Sequence, residues 1–363
     1  MKEGWENKKL GEVCNITMGQ SPDSTTYNKE GIGLPFFQGC ADFGTVHPRI
    51  TTYCSAPKKI ALSKDILMSV RAPIGTLNIA NDNCCIGRGL AAFSEIKNIS
   101  DYRFIFYFLK ASQNDLQSKG TGATFKAIGK ELIINYPISL PPLSEQQQIV
   151  EELDLLSSII EKKKEQLKEL DNLALSIFYD MFGDPIANEK GWEVMKLEEL
   201  CRLFAGGDVP KDRFSKTKTA NYQIPVYSNG IEDCGLYGYT DIPKVTEKCI
   251  TISGRGTIGH VEKRLEAFYP IIRLLVVVPI VDIDVTYLAF FAKIKDFKGN
   301  GGAIPQLTVP MIKKEPCPLP PLPLQQQFAE KVEAIEHQKE MIKQSIKEIE
   351  TLFNSRMDYY FNG

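Results

Sequence analysis

The chain is poor in the residues that usually carry catalysis or bind metals. Its 363 residues include only three histidines, His47, His260 and His337, and no H-E-x-x-H pair. Nine cysteines stand at 14, 40, 54, 84, 85, 201, 234, 249 and 317, an odd number with no C-x-x-C spacing. That pattern argues against a zinc site and against a disulfide framework, so a reducing cytoplasm is the expected setting. No apolar run reaches the roughly 18–20 residues needed to cross a bilayer. MKEGWENKK at the start lacks an apolar signal core, and no membrane partner is expected. Also missing are G-x-S-x-G and the N/D-P-P-Y/F with which amino-methyltransferases hold a flipped base. AIGKE (127–131) ends like a P-loop, but Thr124 stands at the first glycine position and Glu131 at the magnesium-binding hydroxyl. These absences point to a binding protein, with no catalytic residue, metal or cofactor of its own.

What is present is a folded chain with 43% apolar and 24% charged residues. Its net charge of −2 conceals a partition. Residues 1–142 hold 16 Lys+Arg against 12 Asp+Glu, and residues 185–318 hold 18 against 16. Residues 143–184 hold 4 against 10, and residues 319–363 hold 5 against 7. A nucleic-acid footprint would therefore fall on the two basic stretches.

The chain repeats itself. GWENKKLGEVC (4–14) returns as GWEVMKLEELC (191–201), and SVRAPIG (69–75) as SGRGTIG (253–259). DYRFIFYFLK (101–110) returns as DVTYLAFFAK (284–293), and GATFKAI (122–128) as GAIPQLT (302–308). LPPLSEQQQIVEEL (140–153) then returns as LPPLPLQQQFAEKV (319–332). Order is kept while the offset shrinks in small steps, as loop deletions in a tandem duplication would produce. Each copy is a lobe followed by a long helix.

After Pro141 and Pro142, Ser144 is the expected N-cap with Gln147 at N3, and Gly183 with Pro185 supplies the stop. About 40 residues of helix span roughly 60 Å at about 1.5 Å per residue. Ile149, Leu153, Leu156, Ile160, Leu167, Leu170, Ala174, Ile177 and Met181 fall at alternating steps of four and three, with Lys163 at the missing position. The second helix repeats the pattern at Phe328, Val332, Ile335, Ile342, Ile346, Ile349, Phe353 and Tyr360, with Lys339 and Arg356 in the seam and Pro323 in the first turn. Heptad seams of this length predict that the two helices pair as a coiled coil, antiparallel if the termini of the lobe between them are well separated; the alternative is that each helix lies on its own lobe. Further apolar positions, Leu155, Ile159, Leu173, Phe178, Phe182 and Tyr359, are expected to leave surface for other helices and to make the isolated chain self-associate.

The lobes read as mixed α/β: DILMSV, KCITIS and IIRLLVVV look like strands, and DYRFIFYFLKASQNDLQ like a helix with core aromatics. Gly254, Gly256 and Gly259 have dinucleotide-motif spacing, but the matching positions in the first copy are Val70, Ala72 and Gly75 with Pro73 between them. Proline has no N–H for a phosphate, so a strand–turn–strand is expected there.

A lobe ending in GATFKAIGKELIINYPIS, followed by LPPLSEQQQIVEEL and a long helix, and duplicated with G-W-x-x-x-x-L openings, resembles the specificity (HsdS) subunit of type I restriction–modification systems. The resemblance covers essentially the whole chain. It implies an α+β (mixed α/β) architecture of two pseudo-repeated target-recognition domains, 1–142 and 185–321, separated by the helices 143–184 and 322–363 as a long antiparallel coiled coil. It implies a non-catalytic subunit that reads a bipartite, asymmetric double-stranded DNA target, one half per domain. The implied partners are two adenine-methyltransferase subunits and, in the full complex, restriction subunits; S-adenosylmethionine, ATP and magnesium belong to those partners. Candidate DNA contacts are Gln20, Ser21, Gln38, Arg71, Thr124 and Lys126 in the first lobe and Lys211, Arg213, Ser228, Asn229, Arg255 and Gln306 in the second. Gln38 and Asn229 have the amides that pair bidentately with adenine. Gln146, Gln147, Gln325 and Gln326, expected to be exposed beside the helix entrances, are candidate partner contacts. Three other readings stay open: a specificity subunit whose partner fuses methylase and nuclease, a coiled-coil scaffold that binds no DNA, and an enzyme built on Gly254–Gly259.

Overall fold

The computed structural model describes residues 4–122, 126–299 and 305–362. Thr124 lies outside them. Two compact units divide the chain: Met1–Lys163 with Ser345–Gly363, and Lys164–Gln344. The architecture is mixed α/β, and each unit carries one lobe with part of both long helices.

The first lobe has a four-stranded antiparallel sheet in the order Cys14–Met18, Leu90–Glu95, Ile66–Ser69, Leu77–Ile79. The second lobe repeats that order with Cys201–Ala205, Leu275–Pro279, Cys249–Ile252 and Val261–Arg264. Successive residues of a strand face opposite ways, and both faces here are covered. Leu275 and Val277 pack with Tyr287 and Phe291 of a helix, while Val276 and Val278 pack with Val245 and Phe268 on the other side. Burial on both faces is why LVVV is a continuous apolar run. The second covering layer is another sheet, five-stranded in the first lobe and four-stranded in the second, in which one pair is parallel, Leu34–Phe37 with Cys84–Ile86 and Ile224–Tyr227 with Tyr269–Pro270.

The aromatic segment forms the helix Tyr102–Ala111 in the first lobe and Val285–Lys295 in the second. Asp101 and Asp284 cap them, each accepting two backbone N–H groups of the first turn. Phe104, Ile105, Tyr107 and Phe108 are buried, as expected of core aromatics.

The long helices run Leu143–Phe182 and Leu322–Phe361. The first ends on Gly183 at φ +75°, whose N–H reaches Tyr179 O at 2.8 Å. Ser144 is not its cap. The helix begins one residue earlier, with Pro142 O accepting the N–H groups of Glu145 at 2.9 Å and Gln146 at 3.0 Å. Pro142 stands between the strand Pro137–Leu140 and the first helical residue, Leu143. In the second unit Lys339 Nζ meets Asp171 at 2.7 Å while Phe328 packs on Phe182 at 5.3 Å, so the helices run antiparallel. In the first unit Glu152 is ion-paired with Arg356, at 2.7 Å from Nε, and accepts the Tyr360 hydroxyl at 2.5 Å. The seam positions of both helices are buried or half-buried, while most of their neighbours are exposed.

Phe178 and Phe182 correct one expectation. They are buried against Tyr287 of the second lobe at 5.6 and 4.9 Å, not left for other helices. Leu155, Leu173 and Tyr359 remain exposed.

Gln146 and Gln325 correct another, because both are fully buried. Gln146 accepts Asp101 N–H at 2.9 Å and donates to Ile99 O at 3.0 Å and Pro141 O at 2.9 Å. Gln325 accepts Asp284 N–H at 2.8 Å and donates to Pro320 O at 2.7 Å. Each amide ties the cap of its lobe's aromatic helix to the turn that opens the long helix. That bond accounts for part of the repeated LPPL-x-x-Q pattern. Replacing Gln325 by Leu strands a buried N–H and a buried carbonyl, and is expected to lower stability by about 1–3 kcal/mol in urea unfolding. Gln326→Ala, on the exposed flank, is expected to stay within about 0.5 kcal/mol.

Candidate nucleic-acid interface

In each lobe a central strand of the main sheet is joined to the edge strand beside it by a tight turn that carries an arginine: Arg71 between Ile66–Ser69 and Leu77–Ile79, Arg255 between Cys249–Ile252 and Val261–Arg264. The turns close alike, with Gly75 N–H on Ser69 O at 2.9 Å and Gly259 N–H on Ser253 O at 3.0 Å. SGRGTIG is therefore a strand–turn–strand, with no helix N-terminus after it to cradle a phosphate. A second bond recurs, Ile128 N–H to Val70 O at 3.0 Å and Leu307 N–H to Gly254 O at 2.9 Å. It pairs Gln306 with Ala127, one position from the match that the sequence suggested. Gly254 is needed because a Cβ there would lie 2.9 Å from Leu307 O and 3.0 Å from Arg273 O.

Around Arg71 the first lobe gathers several of its candidates. Gln38 and Arg71, with Arg88 and Ser69, line a cavity of about 200 Å³. The Ser21 hydroxyl lies 2.9 Å from Gln38 Nε2 and 3.1 Å from its Oε1, and accepts Arg88 N–H at 3.2 Å. The amide of Gln38 is thus oriented before anything binds. Gln20, exposed beside Ser21, is anchored by its N–H to Ile86 O at 3.0 Å. Lys126 is exposed and joins the turn through its carbonyl, which accepts Ala72 N–H at 3.2 Å. The side chains of Arg71 and Arg88 are exposed and make no hydrogen bond or ion pair among the described residues. Sequence reasoning missed Arg88. Its only signal was a lone arginine between two glycines just before a buried strand.

The second lobe builds its cluster from other residues. Arg255 donates to Gln306 Oε1 from Nη2 at 3.2 Å, and Arg273 donates to the same oxygen from Nη1 at 3.4 Å. Asn229 is occupied on both sides: its Oδ1 accepts Gly254 N–H at 2.8 Å and its Nδ2 donates to Ile272 O. Its carbonyl also accepts the Thr257 hydroxyl at 2.8 Å. Asn229 therefore holds three loops together and has no free amide edge for a base. Ser228 points back to its own loop, N–H to Gly235 O at 2.8 Å.

Lys211 and Arg213 lie on a separate 3-10 turn, Lys211–Arg213, with no hydrogen bond to this cluster. Arg213 grips Asp241 through Nε at 3.0 Å and Nη2 at 2.7 Å. That bond raises the arginine above its ordinary pKa and holds Asp241 below the usual carboxylate range. Arg264 is buried over the Tyr227 ring at 3.6 Å and donates to Cys234 O at 2.7 Å; burial lowers its pKa.

Of the four candidate glutamines at the helix entrances, Gln147 and Gln326 are exposed, as are their neighbours Gln148 and Gln327. Gln326 lines a groove of about 740 Å³ in the second unit with Lys263, Glu333 and Glu336.

The family described as type I restriction modification DNA specificity domain matches residues 2–171 and 189–351. The chain is 44% identical over 183 residues to a putative type I restriction enzyme MjaX specificity subunit of Methanocaldococcus jannaschii, a match covering 48% of this chain and 43% of that protein. It is 28% identical over 281 residues to the putative type I specificity subunit S.MpnORF89P of Mycoplasma pneumoniae, covering 72% of this chain and 80% of that one. The crystal structure of a type I restriction–modification system S subunit from M. genitalium shares the fold, with a TM-score of 0.61 at 16% identity over 98% of this chain and 96% of that chain.

Asn229→Ala removes both ties of the amide. It is expected to cost about 1–3 kcal/mol in unfolding and to speed hydrogen exchange at the Gly254 N–H. Unchanged exchange at Gly254 would contradict the bond.

Proposed function

This chain belongs to the type I restriction–modification DNA specificity family, and on that premise we propose that its two lobes each read one half of a bipartite, asymmetric DNA target. One observation carries the reading. The two lobes repeat the same sheet and the same arginine-bearing turn, yet surround that turn with different polar side chains. A shared framework with unlike readers suits a target whose halves differ. Phosphate contacts position such a protein and base-edge contacts specify its sequence. In this assignment Arg71, Arg88 and Lys126 meet DNA in the first lobe with Gln20, Ser21 and Gln38 beside them, and Arg255 and Gln306 do so in the second. Lys211 serves as an outlying phosphate contact. Arg213, whose charge Asp241 already balances, Asn229 and Ser228 support the reading loops.

The helix pair acts as the spacer, a stiff rod of roughly 60 Å at about 1.5 Å per residue. Reading two half-sites on one duplex requires a fixed separation between readers. The chain itself is non-catalytic and needs no cofactor. Two adenine-methyltransferase subunits, and restriction subunits in the full complex, supply S-adenosylmethionine, ATP and magnesium chemistry. Gln147 and Gln326 are the candidate entrance residues that stay exposed and available to the methyltransferase subunits. The assembly works in the cytoplasm. Among the described residues no helix is long and apolar enough to cross a membrane.

Adenine methylation mapped in cells carrying this gene and its neighbouring methyltransferase is expected to show a gapped, asymmetric motif that vanishes when the gene is removed. An unchanged pattern, with the methyltransferase present and bound, would favour a scaffold that binds no DNA. Affinity of the complex for its target is expected to fall steeply with salt, by about a thousandfold between 50 and 200 mM if roughly six phosphates are neutralised.

A further inference from the structure

We propose that Arg273 is a second base-reading residue of the second lobe, acting with Arg255 on the major-groove edge of a guanine. The inference rests on the DNA-reading assignment above and deepens it by naming what this lobe recognises.

Five arginines belong to the second lobe: 202, 213, 255, 264 and 273. Arg202 is paired with Glu247 at 2.6 Å and Arg213 with Asp241 at 2.7 Å. Arg264 is buried. Arg255 and Arg273 are different. Among the described residues neither has a carboxylate partner, and both point at one neutral oxygen, Gln306 Oε1. An amide oxygen orients a guanidinium without cancelling its charge. Two like charges held on one acceptor repel, and most of their N–H donors are left for an outside acceptor.

The backbone is bent to bring this about. Ile272 and Arg273 take φ of +51° and +56°, a left-handed conformation that a β-branched residue strongly disfavours. Three ties hold it there: Asn229 Nδ2 on Ile272 O, Ile272 N–H on Gly207 O at 2.8 Å, and Arg273 N–H on Gly206 O at 3.2 Å. Strain kept in place by several bonds marks a position fixed for a task. Guanine presents O6 and N7 side by side, which matches an oriented guanidinium fork. A phosphate would accept the charge but needs no orienting amide. The first lobe has Ala127 at the place of Gln306, so this arrangement belongs to the second lobe.

The test maps methylation in cells carrying the chain with its methyltransferase, as wild type, R273A, R273K, R255A and Q306A. It adds salt-dependent binding of each complex to a duplex bearing the wild-type motif. One half of the wild-type motif is expected to contain a guanine on one strand. R273A and R255A are expected to reduce the preference for it by about tenfold to a hundredfold, leaving the other half and the spacing unchanged. R273K keeps the charge without the fork, so it should lose the preference while the salt slope stays at the wild-type value. Q306A removes the oxygen that orients both guanidinium groups and should relax the same position more weakly. If R273A weakens all sequences equally and lowers the salt slope by about one, Arg273 holds a phosphate and the inference is overturned. An unchanged motif with unchanged affinity overturns it as well. A wild-type chain that directs no bipartite motif at all would instead overturn the DNA-reading assignment.

Discussion

Everything in this molecule depends on the way each lobe's aromatic helix is covered. Tyr287 and Phe290 of the second lobe pack on Phe178, from the end of the first long helix, and Phe290 also packs on Phe328, from the start of the second. In the first lobe Phe104 packs on Phe361, and Tyr107 on Phe353, both near the end of the second helix. Each unit's core is therefore completed by a segment that belongs, in sequence, to the other repeat. Burying a phenylalanine is worth about 1.5–3 kcal/mol, and a good aromatic pair adds about 0.5–1.5 kcal/mol. Losing that end would expose the aromatic helix that braces the sheet. The repeats are consecutive in the chain but interleaved in the fold.

The charged residues in the seam refine this packing. Lys339 lies between Asp171 and Glu336, at 2.7 and 2.9 Å, and Arg356 meets Glu152 at 2.7 Å. Their carboxylates reach water while Lys339 and Arg356 are half-buried, so the gain from each pair is offset by the cost of covering its cation. A charge at a seam position does penalise registers that leave it without a partner. Their effect is on alignment, and alignment decides which aromatic residue reaches which lobe.

On this frame the polar turns can vary. The backbone bonds closing the turns at Arg71 and Arg255 are the same in both lobes, and they hold glycines at Gly75 and Gly259 while leaving the polar side chains around them free to differ. Around them one lobe sets a glutamine against a serine, and the other sets two arginines against a glutamine. Side chains there can change without loss of fold because the strands beneath them are already satisfied.

The duplication, the mixed α/β lobes, the helix ends near Phe182 and the pairing seams were legible in the sequence. Self-similarity and a 3.5-residue period are local properties that survive without coordinates. The buried staples Gln146 and Gln325, the tied amide of Asn229, the neutralised Arg213 and the absence of a carboxylate beside Arg88 and Arg273 among the described residues were not. A glutamine at a helix entrance looks the same whether it faces water or caps a loop about 40 residues away, and an arginine looks the same with or without its aspartate. Spacing along the chain determined what kinds of element form and how often they recur. Only the tertiary structure decided which polar groups are used up inside the fold and which are left to meet a partner, because each such bond joins segments far apart in sequence.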